Sequence, residues 1–362
     1  MCSRFLYFGD LEARKLFLIA WKKTCRPKQL GGLGIPNLAS LQFANCCSLI
    51  LRFYNSKSML FRFLNAKYGT PWTPILSKAS SLWNDMNRTA LQITSIISFD
   101  LKANSILSFL WDPWLRRNYI MAEFASLNLD SLIPFNATVS DFLGDVGWLF
   151  PDAIPFPIAL TLQNFGCNHH GFQPTIRWDG KVKACFSAFI KFYHRHEIIV
   201  DWFKLVWHKH YALRYSSFIW LALINGLKTA EELIKRNIMV NSTCSLCFVH
   251  FESNGHIYFE CDYAFNVLTN LIPMVGEFLL RPRLIQVLHF LGEHNHLANN
   301  QKELFLIILG CATYFIWRER NERRFNGKSR CYSTLCLHIK KAVEAKITNW
   351  KSADLLRIPW VV

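Results

Sequence analysis

The spacing Cys244-x2-Cys247-x8-His256-x4-Cys261 constrains this chain of 362 residues more than any other feature of it. Zinc takes sulfur and imidazole donors at the corners of a tetrahedron, with sulfur at ~2.3 Å and nitrogen at ~2.0–2.1 Å. A C-x2-C turn aims two thiolates at one centre. The excursion over 248–255 ends in Asn254–Gly255 and gives the chain room to reverse, so that His256 and Cys261 can return from a short helical or turn segment. Four protein ligands close the coordination sphere, which predicts a structural Zn²⁺ rather than a catalytic one with an open position for water. His250 is a rival third ligand, close behind Cys247, but the distance to Cys261 favours His256. The plain alternative is a set of buried cysteines with an unrelated histidine. It suits a lone C-x2-C better than four donors in order.

Around this site the pattern is mainly α. Ser217–Ile224 reads as an apolar helix containing Trp220, and Thr229-x-x-Glu232 is a capping-box pattern opening a short helix through Leu233, Ile234 and Arg236. Leu304, Ile307, Ile308, Cys311 and Phe315 keep one helix face apolar before RERNERRF (318–325) turns the same helix to charge. Cys336, Ile339, Val343 and Ile347 mark a final amphipathic helix. Near the start, Leu16, Ile19 and Ala20 sit at helical spacing, the glycines at 31, 32 and 34 forbid a regular helix, and Pro36–Asn37 opens a helical stretch from Leu38 to Tyr68. Between 71 and 200, proline and aspartate are frequent, and strand-like pieces fall at 106–111 and around Trp178. This reads as an irregular or β-containing connector. The expected organisation is a basic helical region at 1–70, a connector at 71–174, the zinc module at 175–265 and a helical end at 266–362.

Composition narrows the class. Half the residues are hydrophobic and 18% are charged, which excludes a disordered polymer. Twelve cysteines would suit a secreted disulfide protein, but they are scattered, and acidic and basic residues interrupt the only apolar run among the first fifteen. The expectation is reduced core cysteines in an intracellular chain, with the nucleus as a candidate location. The apolar stretch 304–317 is shorter than the ~20 residues that span a bilayer, so no membrane partner is expected.

The net charge of +16 is unevenly placed. Residues 1–70 hold 11 Lys/Arg against 2 acids and residues 318–362 hold 11 against 4, whereas 201–262 balance at 6 against 6. Basic clusters displace counterions condensed on phosphates, so RNA or single-stranded DNA is the expected partner, contacted through Lys22, Lys23, Arg26, Lys28, Arg318, Arg320, Arg323 and Arg324. Glu319 and Arg323 equally fit an ordinary i,i+4 pair. Trp207, Phe248, Phe251, Tyr258 and Phe259 are candidate stacking groups or members of a small core; for Tyr258 and Phe259, core is the better reading.

The run WFKLVWHKHYALRYSSFIWLALINGLKTAEELIKRN, followed by CSLC, HIYFEC and DY, resembles the zinc-binding domain of plant non-LTR retrotransposon reverse transcriptases. Trp207, Trp220, Leu227, Thr229, Leu233, Arg236, Cys244, Cys247, Glu252, His256 and Cys261 occupy matching places. CRPKQLGGLGI, LWDPW (110–114) and IWRERNERRF are similar to other segments of that family. The resemblance implies a retroelement remnant, with other retroelement segments as further partners.

Catalysis is not expected. Nucleotide polymerisation needs paired carboxylates for two metal ions, and the sequence holds no Asp-Asp dipeptide. After 330 only Glu344 and Asp354 remain for ribonuclease H chemistry. The GGLG loop lacks the Lys-Ser/Thr of a phosphate-binding loop, no G-x-S-x-G elbow exists, and His169–His170 near Cys167 reads as a solvated loop more readily than a second metal site. No small-molecule substrate is expected. The competing readings are a zinc-stabilised protein-interaction module and a degenerate copy without function.

Overall fold

The computed structural model describes residues 19–75, 78–101, 107–144, 147–150, 154–163, 165, 175–348, 350, 358 and 360. The fold is mainly α. The chain forms two compact units, one of residues 36–197 and one of residues 1–35 with 198–362. The boundaries of these units cut across the segments expected from composition: the first basic region is divided at 35/36, and the expected span 175–265 is divided at 197/198.

The first described helix is the short α1 (Trp21–Thr24). Ile19 and Ala20 precede it rather than belonging to it, and Leu16 lies outside the described residues.

In the unit 36–197, the Asn37 side chain accepts the Ala39 amide at 2.9 Å and so opens α2 (Leu38–Asn55). The expected helical stretch breaks at 56–58 and resumes as α3 (Met59–Tyr68). Ser80 caps α4 (Ser81–Ile93) in the same way. Strand β1 (Ile97–Asp100) follows, then α5 (Ile120–Glu123), the two-residue pieces β2 (Leu143–Gly144) and β3 (Gly147–Trp148), α6 (Phe156–Gln163), β4 (Thr175–Trp178) and α7 (Phe186–Tyr193). β1 and β4 pair antiparallel, with Ile97 opposite Trp178 and Asp100 opposite Thr175. Helix α2 lies against α4 and α7.

The stretch read as a connector therefore builds a core with α2 and α7. Phe53, Trp72, Trp83, Phe109, Trp114 and Trp178 are buried in it. The strand expected at 106–111 is not formed among its described residues, which make a turn with one isolated bridge between Ser108 and Thr138. That turn carries the buried Asp112. Its Oδ1 accepts the Tyr54 hydroxyl at 2.8 Å and its Oδ2 the Ser108 amide at 2.9 Å.

The other unit continues from α1 with a 3-10 turn at Lys28–Leu30, closed by Gly31 in the left-handed region (φ 79°). The Trp220 indole N–H donates to the Gly31 carbonyl at 2.9 Å, a buried bond across 189 residues. Helices α8 (Phe203–Val206), α9 (Leu213–Leu223), α10 (Ala230–Ile234), α11 (Asp262–Leu271), α12 (Leu284–Glu293), α13 (Asn299–Asn326) and α14 (Tyr332–Ile347) complete it. The long α13 packs on α9, α12 and α14, and α14 also packs on α11. Cys336, Ile339, Val343 and Ile347 on α14 are buried as their stripe predicts. On α13 Leu304, Ile307, Ile308 and Cys311 are buried and Phe315 half-buried, but every residue from Leu304 to Thr313 is buried, so the helix is enclosed on all sides rather than along one face. Among the described residues no helix is long and apolar enough to cross a membrane. Cys25, Cys46, Cys47, Cys311 and Cys336 are buried and fill the cores as small apolar groups.

Candidate metal centre

Residues 242–252 form a tight hairpin. The Glu252 amide donates to the Ser242 carbonyl and the Cys244 amide to the His250 carbonyl, both at 2.8 Å, with Thr243 and Phe251 bridged between them. At its tip the Phe248 amide returns to the Cys244 carbonyl at 2.9 Å, and Phe248 takes a left-handed φ of 59°. A residue with a Cβ resists that region, and the conformation persists because the C-x2-C turn requires it. The hairpin spends His250 on a backbone role. Its side chain is exposed and the histidine stands outside the ligand group.

The returning arm is a single π-type turn over His256–Glu260 whose interior departs from helical angles at Tyr258 and Phe259, the latter at φ 92°. The Ser253 hydroxyl accepts the His256 amide at 3.0 Å, and the Cys261 amide closes on the His256 carbonyl at 2.8 Å. Cys261 then starts α11. Tyr258 and Phe259 are fully buried, so both belong to the core, as favoured above. Phe248 and Phe251 are exposed.

These two arms bring the donor atoms of Cys244, Cys247, His256 and Cys261 within 4.8 Å of one another. Cys247 Sγ lies 3.3 Å from His256 Nε2. A tetrahedron with zinc's bond lengths spaces sulfur and nitrogen corners roughly 3.5–3.8 Å apart, so the four donors fit one centre. The Leu246 amide points at Cys244 Sγ from 3.4 Å, the outer contact a metal thiolate calls for. Crowding shapes the protonation of the group. Hydrogen bonds from Cys261 and then His256 push the Cys244 thiol far below its ordinary value, whereas its bond with Cys244 raises Cys261. The same thiolate raises His256 to about 9. A cluster that already favours a thiolate suits a cation. Among the described residues it is the one group of three or more such donors.

Glu252 is the residue whose importance the sequence understated. It is fully buried. One carboxylate oxygen accepts the Ala230 amide at 2.8 Å, at the start of α10, and is also bonded by Arg320 and by Arg324 (3.1 Å); the other accepts Arg320 Nε at 2.9 Å. Thr229 caps α10 by accepting the Glu232 amide at 3.4 Å, but the reciprocal half of the expected capping box is not made. Glu232 pairs with Lys235 and Arg236 instead.

The basic residues proposed for phosphate divide sharply. Arg320 is 2% exposed and committed to Glu252, which removes it from any phosphate surface. Arg323 bonds Glu319 at 2.9 Å, the Leu246 carbonyl at 2.8 Å and the Arg330 carbonyl at 2.6 Å, and Arg324 bonds the Asn241 carbonyl at 2.7 Å. These three arginines hold the metal hairpin to α13. The physical reason is that Glu252 and Glu319, both fully buried, must be neutralised where they sit. Arg318, Lys22 and Lys23 are exposed, and Arg26 is half-buried. Lys28 lies over the rings of Trp207 (4.3 Å) and Tyr211 (4.5 Å) and bonds the Tyr211 hydroxyl, joining two residues the sequence had proposed separately. Cys167, His169 and His170 lie outside the described residues.

The Cys3His cluster between a hairpin and a helix start has the make-up of a candidate metal centre. Residues 184–267 match the family described as zinc-binding in reverse transcriptase, and the resemblance read from the residues is to that family. The chain is also 20% identical over 299 residues to an Arabidopsis thaliana protein named "Putative ribonuclease H protein", covering 74% of this chain and 46% of that one. It thus spans about half the length of the curated relative it matches. No solved structure matches.

Proposed function

We propose that this chain is a zinc-stabilised nucleic-acid-binding part of a retroelement reverse-transcriptase protein, with Zn²⁺ held by Cys244, Cys247, His256 and Cys261 and no catalytic activity of its own. The observation that carries the reading is the placement of charge. The unit that holds the metal centre unites both basic ends of the sequence, with 27 Lys/Arg against 15 Asp/Glu, or +12 of the total +16. Lys22 and Lys23 are exposed on it, and Lys28 lies on two aromatic rings, the pairing of cation and ring that suits a single-stranded polyanion. A nuclear location accords with that partner. The metal is structural, since four protein donors leave no open position.

Neither polymerase nor ribonuclease H chemistry is proposed. Each needs clustered carboxylates, and the sequence holds no Asp-Asp dipeptide.

The test is binding of single-stranded RNA and DNA between 50 and 200 mM salt. Wild type should lose affinity steeply, and Lys22→Glu with Lys23→Glu should flatten the slope by roughly two contacts. A salt-independent wild type overturns the proposal. It would favour docking of a protein on the exposed Phe248, Val249 and Phe251 of the near-neutral hairpin region.

A further inference from the structure

The charged end of α13 does more than fill a surface. From residue 318 the helix would ordinarily turn its polar face to water. Here Glu319 is fully buried and Arg320 is 2% exposed, and both face other protein groups. Apolar side chains would pack such a position without the cost of desolvating charge, so the charges need a counterpart.

The counterpart lies in the ligand-bearing hairpin. Arg323 donates to the carbonyl of Leu246, inside the C-x2-C turn, at 2.8 Å. The amide of that same residue points at Cys244 Sγ from 3.4 Å. Arg323 therefore holds the Leu246–Cys247 peptide, the link between the residue whose N–H faces one ligand sulfur and the ligand Cys247 itself. Arg324 reaches across the base of the hairpin, bonding the Asn241 carbonyl just before it and Glu252 at its end. Arg320 forks onto Glu252, which stands four residues before His256. The charges complement one another as well. Three thiolates around Zn²⁺ leave −1, and the four arginines 320, 323, 324 and 330 paired with Glu252 and Glu319 leave +2.

We infer that the arginine-rich end of α13 is part of the metal centre: Arg323 and the Arg320–Glu252 pair are positioning residues that set how tightly the Cys3His group holds its ion. This rests on the reading of the cluster as a zinc site. Outer contacts of this kind change metal affinity by about 10–100-fold in metalloproteins.

The experiment uses the full chain. Zinc content is measured directly, affinity by competition with a chromogenic chelator, and coordination by the visible spectrum of the Co²⁺ form. Wild type should bind one ion. Arg323→Gln should weaken binding about tenfold or more while keeping a tetrahedral Co²⁺ spectrum, since the ligands remain. Arg323→Lys, which keeps the charge without the fork, should recover part of the loss. Arg318→Gln, exposed on the same helix, should bind as wild type does. Should Arg323→Gln fail to fold, Arg323→Lys decides: weaker binding than wild type supports the inference, and equal binding overturns it. Equal affinity in wild type and Arg323→Gln, or the same loss in Arg318→Gln, also overturns it. A wild type that binds no zinc strikes the site itself, a different result from a wild type that binds zinc and ignores Arg323.

Discussion

Asp112 shows how one buried carboxylate sets a pH dependence. Burial raises it to about 7, against hydrogen bonds from groups that include the Tyr54 hydroxyl and the Ser108 amide. Its folded value lies above the ~3.9 of an unfolded aspartate, so the native unit keeps a proton that the unfolded chain releases. That contribution to stability is complete below the unfolded value and is lost as pH rises through about 7. Urea midpoints of the full chain should therefore fall between pH 4 and 7, and Asp112→Asn should flatten the fall; an unchanged slope in the variant would sink the assignment. Nothing near Asp112 in the sequence advertises this, because Tyr54 is 58 residues away. The four metal donors are the opposite case. Their chemistry and spacing are local, and the structure assembles the same four atoms. The arginines at 320–324 were legible as charge but not as a clasp, since Glu252 sits 68 residues before Arg320.

Among the elements, the loop after α1 is the most sharply specified. A Cβ added at Gly32 would lie 2.0 Å from the Arg26 carbonyl oxygen, a clash with backbone that no rotamer relieves. At Gly34 the same addition meets only ordinary contacts, but φ is +74°. Gly32→Ala should cost more than about 2 kcal/mol by forcing the loop open, and Gly34→Ala roughly 1 kcal/mol for the left-handed backbone. Thermal melts that reversed this order would show the loop to be looser than described. The glycines predicted a turn here, but only the fold gives them different reasons. Helices with strong periodicity were the easiest to anticipate: α14 buries the stripe expected of it, while α13 forms where expected but is enclosed on all sides over 304–313. The short helices and strands of 71–200 were not, because their pairing is set by tertiary contacts such as Ile97 opposite Trp178 rather than by a local period.

On the scale of the whole molecule, the metal belongs to one unit and should be felt there first. Chelation should raise amide exchange through the hairpin at 242–252, α11 and the last turns of α13, and leave the β1–β4 pairing protected. Equal loss of protection in both units would refute this separation. The division was hidden from the sequence because the first 35 residues join a unit whose remainder begins at 198. That discontinuity also orders events on the ribosome. The unit 36–197 is complete in the nascent chain before the partners of the opening segment have been made. Gly31 waits for Trp220, 189 residues later, which at ~5–20 residues per second is roughly 10–40 s. Throughout that interval Gly31 lacks the Trp220 indole that its carbonyl accepts in the folded unit.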